Sequence, residues 1–313
     1  MPQPPSPSPS AMKPAAAAVS VPVELVRAIR LIEGDGGPRV VSAVGGSSAP
    51  MAQVTLVSSP LGVPGASPAE VLSFSEVGVS ITAWDVAATT GGFAGAFVVA
   101  KGAKNPVYLA APGGQQARVS PADSWASYAF PRFVAGTAEM TLTAVSEDRA
   151  LEIFTGTAGG FGPPHAIVDT RMGLVLRDRH GFAVVYKLPA SGAARGAGAT
   201  PGLLRYARLD AAWNLASTPS SPLGDTLVYE LDAVARDART VIFASTGEGT
   251  ALVVATGTAS GLSAPVVTRE AAPAFIGSPA VLLSGATLVL AAIQAPLTKD
   301  AQIVTATRPL DAP

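Results

Sequence analysis

Three stretches of the chain repeat one pattern: LEIFTGTAGGFGPP at 151–164, LLRYARLDAAWNLA at 203–216 and LVVATGTASGLSAP at 252–265. In each stretch an apolar run is followed by small turn residues, and a bulky residue stands ten positions after the first Leu. Together with three weaker copies, these stretches begin 44 to 53 residues apart, at Val54, Val107, Leu151, Leu203, Leu252 and Ile303. Such nearly regular spacing indicates a protein built from six repeats.

A second apolar run precedes each of these anchors and is bounded by turn-forming residues. The six runs are PRVVSAVG (38–45), FAGAFVVA (93–100), AEMTLTAV (138–145), GFAVVYKL (181–188), RTVIFAST (239–246) and ATLVLAAI (286–293). Short apolar runs between turn residues are typical of buried strands, so each pair of runs predicts a β-hairpin.

Further strand candidates lie between the hairpins and raise the number to about four strands per repeat. They are VGVSITAW (77–84), MGLVLRD (172–178), DTLVYELD (225–232) and GSPAVLL (277–283). The pattern predicts an all-β protein, a six-bladed β-propeller with about 50 residues per blade. The stretch VELVRAIRL (23–31) is expected to complete the last blade and close the ring, because an unpaired sheet edge is a liability. A pair of β-sandwiches is the alternative fold, and five or seven blades are the alternative counts.

The chain divides into a leader and one domain. Residues 1–22 are rich in Pro, Ser and Ala and carry one charge, which predicts a disordered leader or linker before a single domain at 23–313. Because such tracts often serve as spacers, we expect an extracytoplasmic protein, secreted or associated with the cell envelope. The uncharged stretch 271–298 has the length of a membrane span, but Ser284 and Gly285 favour a turn between two strands, so no span is expected.

The charge balance and the lack of cysteine exclude several functions. With 21 basic and 22 acidic residues the formal charge is -1, so no nucleic-acid partner is predicted. No disulfide, thiolate metal site or cysteine nucleophile is possible without Cys. His165 and His180 show no metal-ligand spacing, so no metal site is predicted. No cofactor is expected, and a structural calcium stays open because scattered carboxylates can hold this ion.

Two predicted hairpin turns carry a family resemblance. They are SEDRALEIF, which begins at Ser146, and TKDAQIVTA, which begins at Thr298, and Asp148 corresponds to Asp300. The pattern resembles a degenerate Asp box, the Ser/Thr-x-Asp-x-Gly turn of sialidase-like and lectin-like β-propellers, with the Gly replaced in both copies. In an Asp box the polar side chain caps its own turn, so the resemblance implies a propeller hairpin and no catalytic role for these residues.

The resemblance to sialidases further implies an active site with an arginine cluster, a Tyr/Glu nucleophile pair and an Asp acid/base. This sequence has the residue types without a spacing that defines a site: Arg132, Arg171, Arg177, Arg269, Tyr229 and Glu230.

Six residues are candidates for ligand binding, and no catalytic residue is assigned. Trp84, Asp85 and Trp125 combine aromatic and polar groups in loop-like surroundings, and an aromatic face suits a sugar ring. The segment HAIVDTR contains the other three, His165, Asp169 and Arg171, and is the most polar part of the chain.

The sequence predicts a non-catalytic binding or scaffold propeller that contacts a glycan or a protein through loops at one end of the ring. On this hypothesis the chain is not an enzyme. A glycosidase, sialidase-like or other propeller hydrolase is the first alternative, and a structural subunit of a larger assembly is the second.

Overall fold

The fold is taken from a computed structural model that describes residues 28–310 apart from eleven gaps. The gaps are 47–50, 62, 64–65, 78, 122–126, 138, 190–200, 247–250, 259–260, 271–274 and 296–301. The predicted leader and most of the predicted closing strand lie outside the described residues. The described part is all β and contains no helix, as predicted.

The strands form antiparallel meanders, in which most strands are hydrogen-bonded to their neighbour in the sequence within a sheet. The first sheet contains β1 (Arg30–Gly34), β2 (Gly37–Gly46), β3 (Met51–Pro60) and β4 (Ala69–Val77). The second contains β5 (Ser80–Thr89), β6 (Gly92–Ala100), β7 (Val107–Ala110) and β8 (Gln116–Arg118). The third contains β9 (Tyr128–Phe133), β10 (Met140–Ser146), β11 (Ala150–Thr157), β12 (Gly160–Phe161) and β13 (His165–Asp169).

The fourth sheet has eight strands and joins two meanders. Its first meander contains β14 (Gly173–Asp178), β15 (Gly181–Pro189) and β16 (Gly202–Leu209). Its second contains β17 (Leu227–Arg236), β18 (Arg239–Thr246), β19 (Ala251–Thr258), β20 (Gly261–Leu262) and β21 (Val266–Glu270). In the described part of the chain, the strand pairing between the two meanders is limited to Gly202 with Val228 and Leu203 with Leu227. The last sheet contains β22 (Phe275–Ser284), β23 (Thr287–Ala295) and β24 (Gln302–Pro309).

The first strand of each meander lies at the centre of the molecule. These innermost strands contact one another in the order β1, β5, β9, β14, β17 and β22, and β22 contacts β1 again. The described strands therefore surround a central axis in a closed order of contacts, without forming one closed sheet.

Apolar side chains fill the spaces between successive meanders. Phe74 of the first sheet stacks on Phe97 of the second, with ring centroids 4.5 Å apart. Ile29 and Leu31 pack with Ile293 and Ile303, so the last sheet is joined to the first by a buried cluster of the same kind. Burial of such side chains is the main stabilising contribution to a fold of small sheets.

The predicted hairpins are confirmed, since the paired apolar runs form the second and third strands of each meander. The closing role predicted for VELVRAIRL is wrong for its described end: Arg30 and Leu31 begin β1, which pairs with β2 in the first sheet. Within the uncharged stretch 271–298, β22 and β23 form a hairpin whose turn residues, Gly285 and Ala286, directly follow Ser284. No helix of the described residues is long and apolar enough to cross a membrane.

The turn after Ser146 is held by a hydrogen bond of the Ser146 side chain, whereas the resemblance assigns this role to the Asp of the box. The hydroxyl oxygen of Ser146 accepts a hydrogen bond from the Ala150 amide at 3.3 Å, across the β10–β11 turn. Its predicted counterpart at Thr298 and Asp300 lies outside the described residues.

Candidate functional site

Four innermost strands are interrupted at one level along the central axis. The register of β5, β9, β17 and β22 with the next strand shifts there, which marks a β-bulge in each. The inserted residues are Thr82, Phe130 with Pro131, Tyr229, and Ser278 with Pro279. Bulges change the direction of neighbouring side chains and are over-represented beside active sites.

Two of the bulge residues have a strained backbone. Phe130 has φ = 52° and Ser278 has φ = 47°, and each directly precedes a proline. A positive φ at a residue other than Gly costs on the order of 1–3 kcal/mol and persists only where the surroundings enforce it. Such strain is typical of ligand sites, so the bulges are a candidate functional region.

The bulges surround a cavity of about 190 Å³, here called the bulge cavity. Its wall includes Arg30, Thr82, Trp84, Phe130, Arg132, Met172, Glu230 and Ser278. Glu230 is the one carboxylate among the described residues that line it. The cavity thus combines two guanidinium groups, one carboxylate and aromatic surface.

A second cavity of about 220 Å³, the far cavity, shares Arg30 and Arg132 with the first. It is lined by residues further along the same strands, among them Asp85, Asp232 and Arg177. The two arginines therefore separate two cavities along the central axis.

Four alternating charges form a layer at this position, here called the charged layer: Arg30, Asp85, Arg132 and Asp232. Arg30 Nε lies 2.5 Å from Asp85 Oδ1, and Arg132 Nη1 lies 3.7 Å from the same oxygen. Arg132 Nη2 lies 3.0 Å from Asp232 Oδ1. The four side chains come from β1, β5, β9 and β17, so the ion pairs connect four meanders.

The carboxylates of the charged layer are fully engaged. Asp85 Oδ2 accepts a hydrogen bond from the Phe133 amide at 2.8 Å, and Asp232 Oδ2 accepts one from the Val281 amide at 2.9 Å. Burial, with a further contribution from Arg132, lowers the pKa of Arg30, although Asp85 opposes the shift. Asp85 and Asp232 are therefore suited to holding the arginines in place.

Glu230 is held differently, at the edge of its bulge. Its carboxylate accepts a hydrogen bond from the Ser278 amide, and its own amide donates to Ser245 Oγ at 3.2 Å. Behind the bulge, buried Lys187 donates to the Tyr229 carbonyl at 2.5 Å. Burial lowers the pKa of Lys187 to about 8, while Glu230 acts to raise it.

The structure brings together only some of the candidate ligand residues. Trp84 lines the bulge cavity with the Arg30 guanidinium 5.7 Å from its ring centroid, and Asp85 belongs to the charged layer. Arg171 lies two residues before β14, and its charge contributes to lowering the pKa of Lys187. His165 and Asp169 are exposed on the outer strand β13, away from both cavities. Trp125 lies outside the described residues.

Sequence reasoning missed Arg30 and Lys187, and it named Arg132 and Glu230 only as residue types. A usable signal was present: each charge lies inside or beside an apolar run that predicts a buried strand. Charged residues are rarely buried without a partner, so such positions point to convergence at a common site. Within the described ranges, no group of three or more His, Asp or Glu residues gathers in a way that could hold a metal ion.

Comparison with known proteins gives similarity at the level of structure. No protein-family model and no curated protein matches the sequence. The GH93 α-L-arabinofuranosidase of Fusarium graminearum, solved with arabinobiose, superposes with a TM-score of 0.61 at 13% identity, covering 94% of this chain and 98% of that one. The GH43_1 enzyme of Xanthomonas citri, complexed with xylotriose, gives a TM-score of 0.45 at 16% identity over 73% of this chain and 87% of that one, too low to carry an argument.

These findings correct the predicted function. The predictions of a non-catalytic binding or scaffold protein and of a chain that is not an enzyme are contradicted by this comparison: the solved structure that superposes with a TM-score of 0.61 is a glycoside hydrolase, which agrees better with the glycosidase alternative. The similarity to sialidases in particular is not supported. At 13% identity the superposition establishes the fold: this chain has a fold of the β-propeller type.

Proposed function

We propose that the chain is a glycoside hydrolase that binds and cleaves its sugar substrate in the bulge cavity. The observation that carries this proposal is the position of Glu230: a carboxylate held by a backbone amide, facing a cavity lined by arginines and aromatic rings. Glycosidic bonds are usually cleaved by a pair of carboxyl groups that serve as acid, base or nucleophile.

The residues around the cavity fit distinct roles. Glu230 acts on the glycosidic bond as the general acid/base, since it is the one carboxylate among the described residues that line this cavity. Arg30 and Arg132 have guanidinium hydrogens beyond those used in the charged layer and donate to sugar hydroxyls. Trp84 and Phe130 offer apolar surface to the sugar ring.

We also propose that the propeller has six blades. The eight-stranded sheet counts as two blades because, among the described residues, only two residue pairs join its meanders, whereas eight pairs join β15 to β16 and eight join β17 to β18. The six innermost strands then supply one first strand to each blade. A five-bladed arrangement would require one of these meanders to be an insertion.

The experiment is a turnover assay on the purified full chain. The substrates are 4-nitrophenyl glycosides of arabinofuranose, xylose and galactose, the corresponding sialic acid glycoside, and arabino- and xylo-oligosaccharides, each with and without EDTA to test for a calcium requirement. We expect hydrolysis of at least one substrate. Glu230→Gln should lower kcat by about 10²–10⁴-fold, the usual effect of losing a general acid/base.

Glu70→Gln is the matched control, because Glu70 is an exposed carboxylate on the outer strand β4. Its activity should equal that of the wild type. Turnover that survives in Glu230→Gln would show that the reaction occurs elsewhere. Absence of hydrolysis of every substrate by the folded protein, with no sugar raising its Tm, would overturn the proposed function.

A further inference from the structure

We propose that Lys187 is a positioning residue for Glu230: from behind the bulge it fixes the Tyr229 carbonyl, and with it the backbone from which Glu230 projects. This inference rests on the proposed function, because only a catalytic Glu230 would make the position of its backbone matter for turnover. The contacts that support it do not depend on the identity of the substrate.

The hydrogen bond from Lys187 crosses between two meanders. Lys187 belongs to β15, whereas Tyr229 belongs to β17, and Nζ lies 2.5 Å from the Tyr229 oxygen. Tyr229 is the residue inserted in the β17 bulge, and Glu230 is the next residue. A constraint on the Tyr229 carbonyl is therefore a constraint on the backbone from which Glu230 projects.

The backbone of Lys187 is itself held on both sides. Its amide donates to the Met172 carbonyl at 2.9 Å, and its carbonyl accepts from Thr170 Oγ1 at 2.7 Å. The path of its side chain requires Gly202, where a Cβ atom would lie 2.5 Å from Lys187 Cγ. Several local contacts thus direct one lysine toward the bulge.

The electrostatic surroundings assign the same role to this lysine. Lys187 is 2% exposed, and the charged groups that influence it are Glu230, which favours its protonated form, and Arg171, which opposes it. A buried ammonium group is costly unless its surroundings compensate it. The Tyr229 carbonyl and the charge of Glu230 supply this compensation for Lys187.

The test is a pH titration of the wild-type full chain by NMR, with ¹³C at the glutamate side-chain carboxyl carbons and the Glu230 signal assigned from Glu230→Gln. Because the pKa of Lys187 is lowered to about 8, the Glu230 signal should show a step with a midpoint near this pH. The step should vanish in Lys187→Met, because the titrating ammonium group is then absent.

Lys101→Met is the control, because Lys101 is exposed and pairs with Glu76 on the outer part of the molecule. It should leave the step near pH 8 in the Glu230 signal unchanged. A wild-type titration without the step near pH 8, or a step that persists in Lys187→Met, would overturn the inference. The wild-type measurement decides the matter even if Lys187→Met folds poorly.

The pH profile of kcat separates this inference from the proposed function. If Lys187 positions Glu230, kcat of the wild type should fall on the alkaline side of the profile as Lys187 loses its proton. Lys187→Met should then change kcat more than KM. Turnover that depends on Glu230 but has the same pH profile in Lys187→Met would overturn the role of Lys187 and leave the proposed function standing. Absence of turnover would overturn the proposed function. The step in the NMR titration would then be the one test of whether Lys187 acts on Glu230.

Discussion

Replacing Asp85 by Asn should destabilise the protein strongly, because Asp85 holds two buried guanidinium groups. Its Oδ1 atom lies 2.5 Å from Arg30 and 3.7 Å from Arg132, and the three side chains are 6%, 14% and 13% exposed. Removing one partner from a buried ion pair typically costs about 3–5 kcal/mol, since it leaves charge uncompensated. Against a total stability of about 5–15 kcal/mol, this loss is large.

Equilibrium unfolding in guanidinium chloride measures the effect as a lower midpoint with an unchanged slope. Glu76→Gln is the control: it breaks the exposed Lys101–Glu76 pair and should cost no more than about 1 kcal/mol. Arg30→Met should cost less in the Asp85→Asn background than in the wild type, because the two changes remove one interaction. An Asp85→Asn loss as small as that of the control would refute the reasoning.

Three further predictions concern the surroundings of the site and the hairpins. The pKa of Lys187 in the folded protein, about 8, lies below its ordinary value of 10.5, so the unfolded chain binds more protons between these two pH values. The unfolding free energy should therefore rise across pH 8–10.5 by about 3 kcal/mol relative to Lys187→Met. Equal pH dependence of the unfolding free energy in both proteins would contradict this. Gly202→Ala should cost about 1–3 kcal/mol in a chemical denaturation curve, because the new Cβ would meet the backbone oxygen of Leu188, and an unchanged curve would show that the strand can shift. Ser146→Ala should lower the unfolding free energy by about 0.5–1.5 kcal/mol through loss of the hairpin staple, and a thermal melt that matches the wild type would count against that staple.

The strand pattern was predictable because it is local. Runs such as 138–145 and 151–164 alternate apolar segments with turn residues, and the hydrogen-bonded partner of each run is the next one along the chain. The end of the predicted closing strand was misassigned because the same apolar run suits the first strand of one sheet or the last strand of another. Only the tertiary packing of Arg30 and Leu31 decides between them.

The candidate site was predictable only in part, because its residues are distant in the sequence. Asp85 was identified beside Trp84, but its partner Arg30 lies 55 residues away. Local polarity favours His165 and Asp169 as ligand residues, but it does not distinguish an outer strand from an inner one. A charged residue within an apolar run, such as Glu230, is a better indicator of a functional site than a polar segment, because the strand around it is buried.

The junction between the last and first sheets has a consequence for folding kinetics. Within the described residues it consists of side-chain contacts, among them the apolar cluster of Ile29 with Ile293 and the hydrogen bond from Ser284 Oγ to Glu33 Oε1, which links residues 251 positions apart. Contacts of such sequence separation form slowly, because the chain entropy of closing a long loop must be overcome first. We therefore expect the individual meanders to form early and the circular arrangement to lock in a late, rate-limiting step.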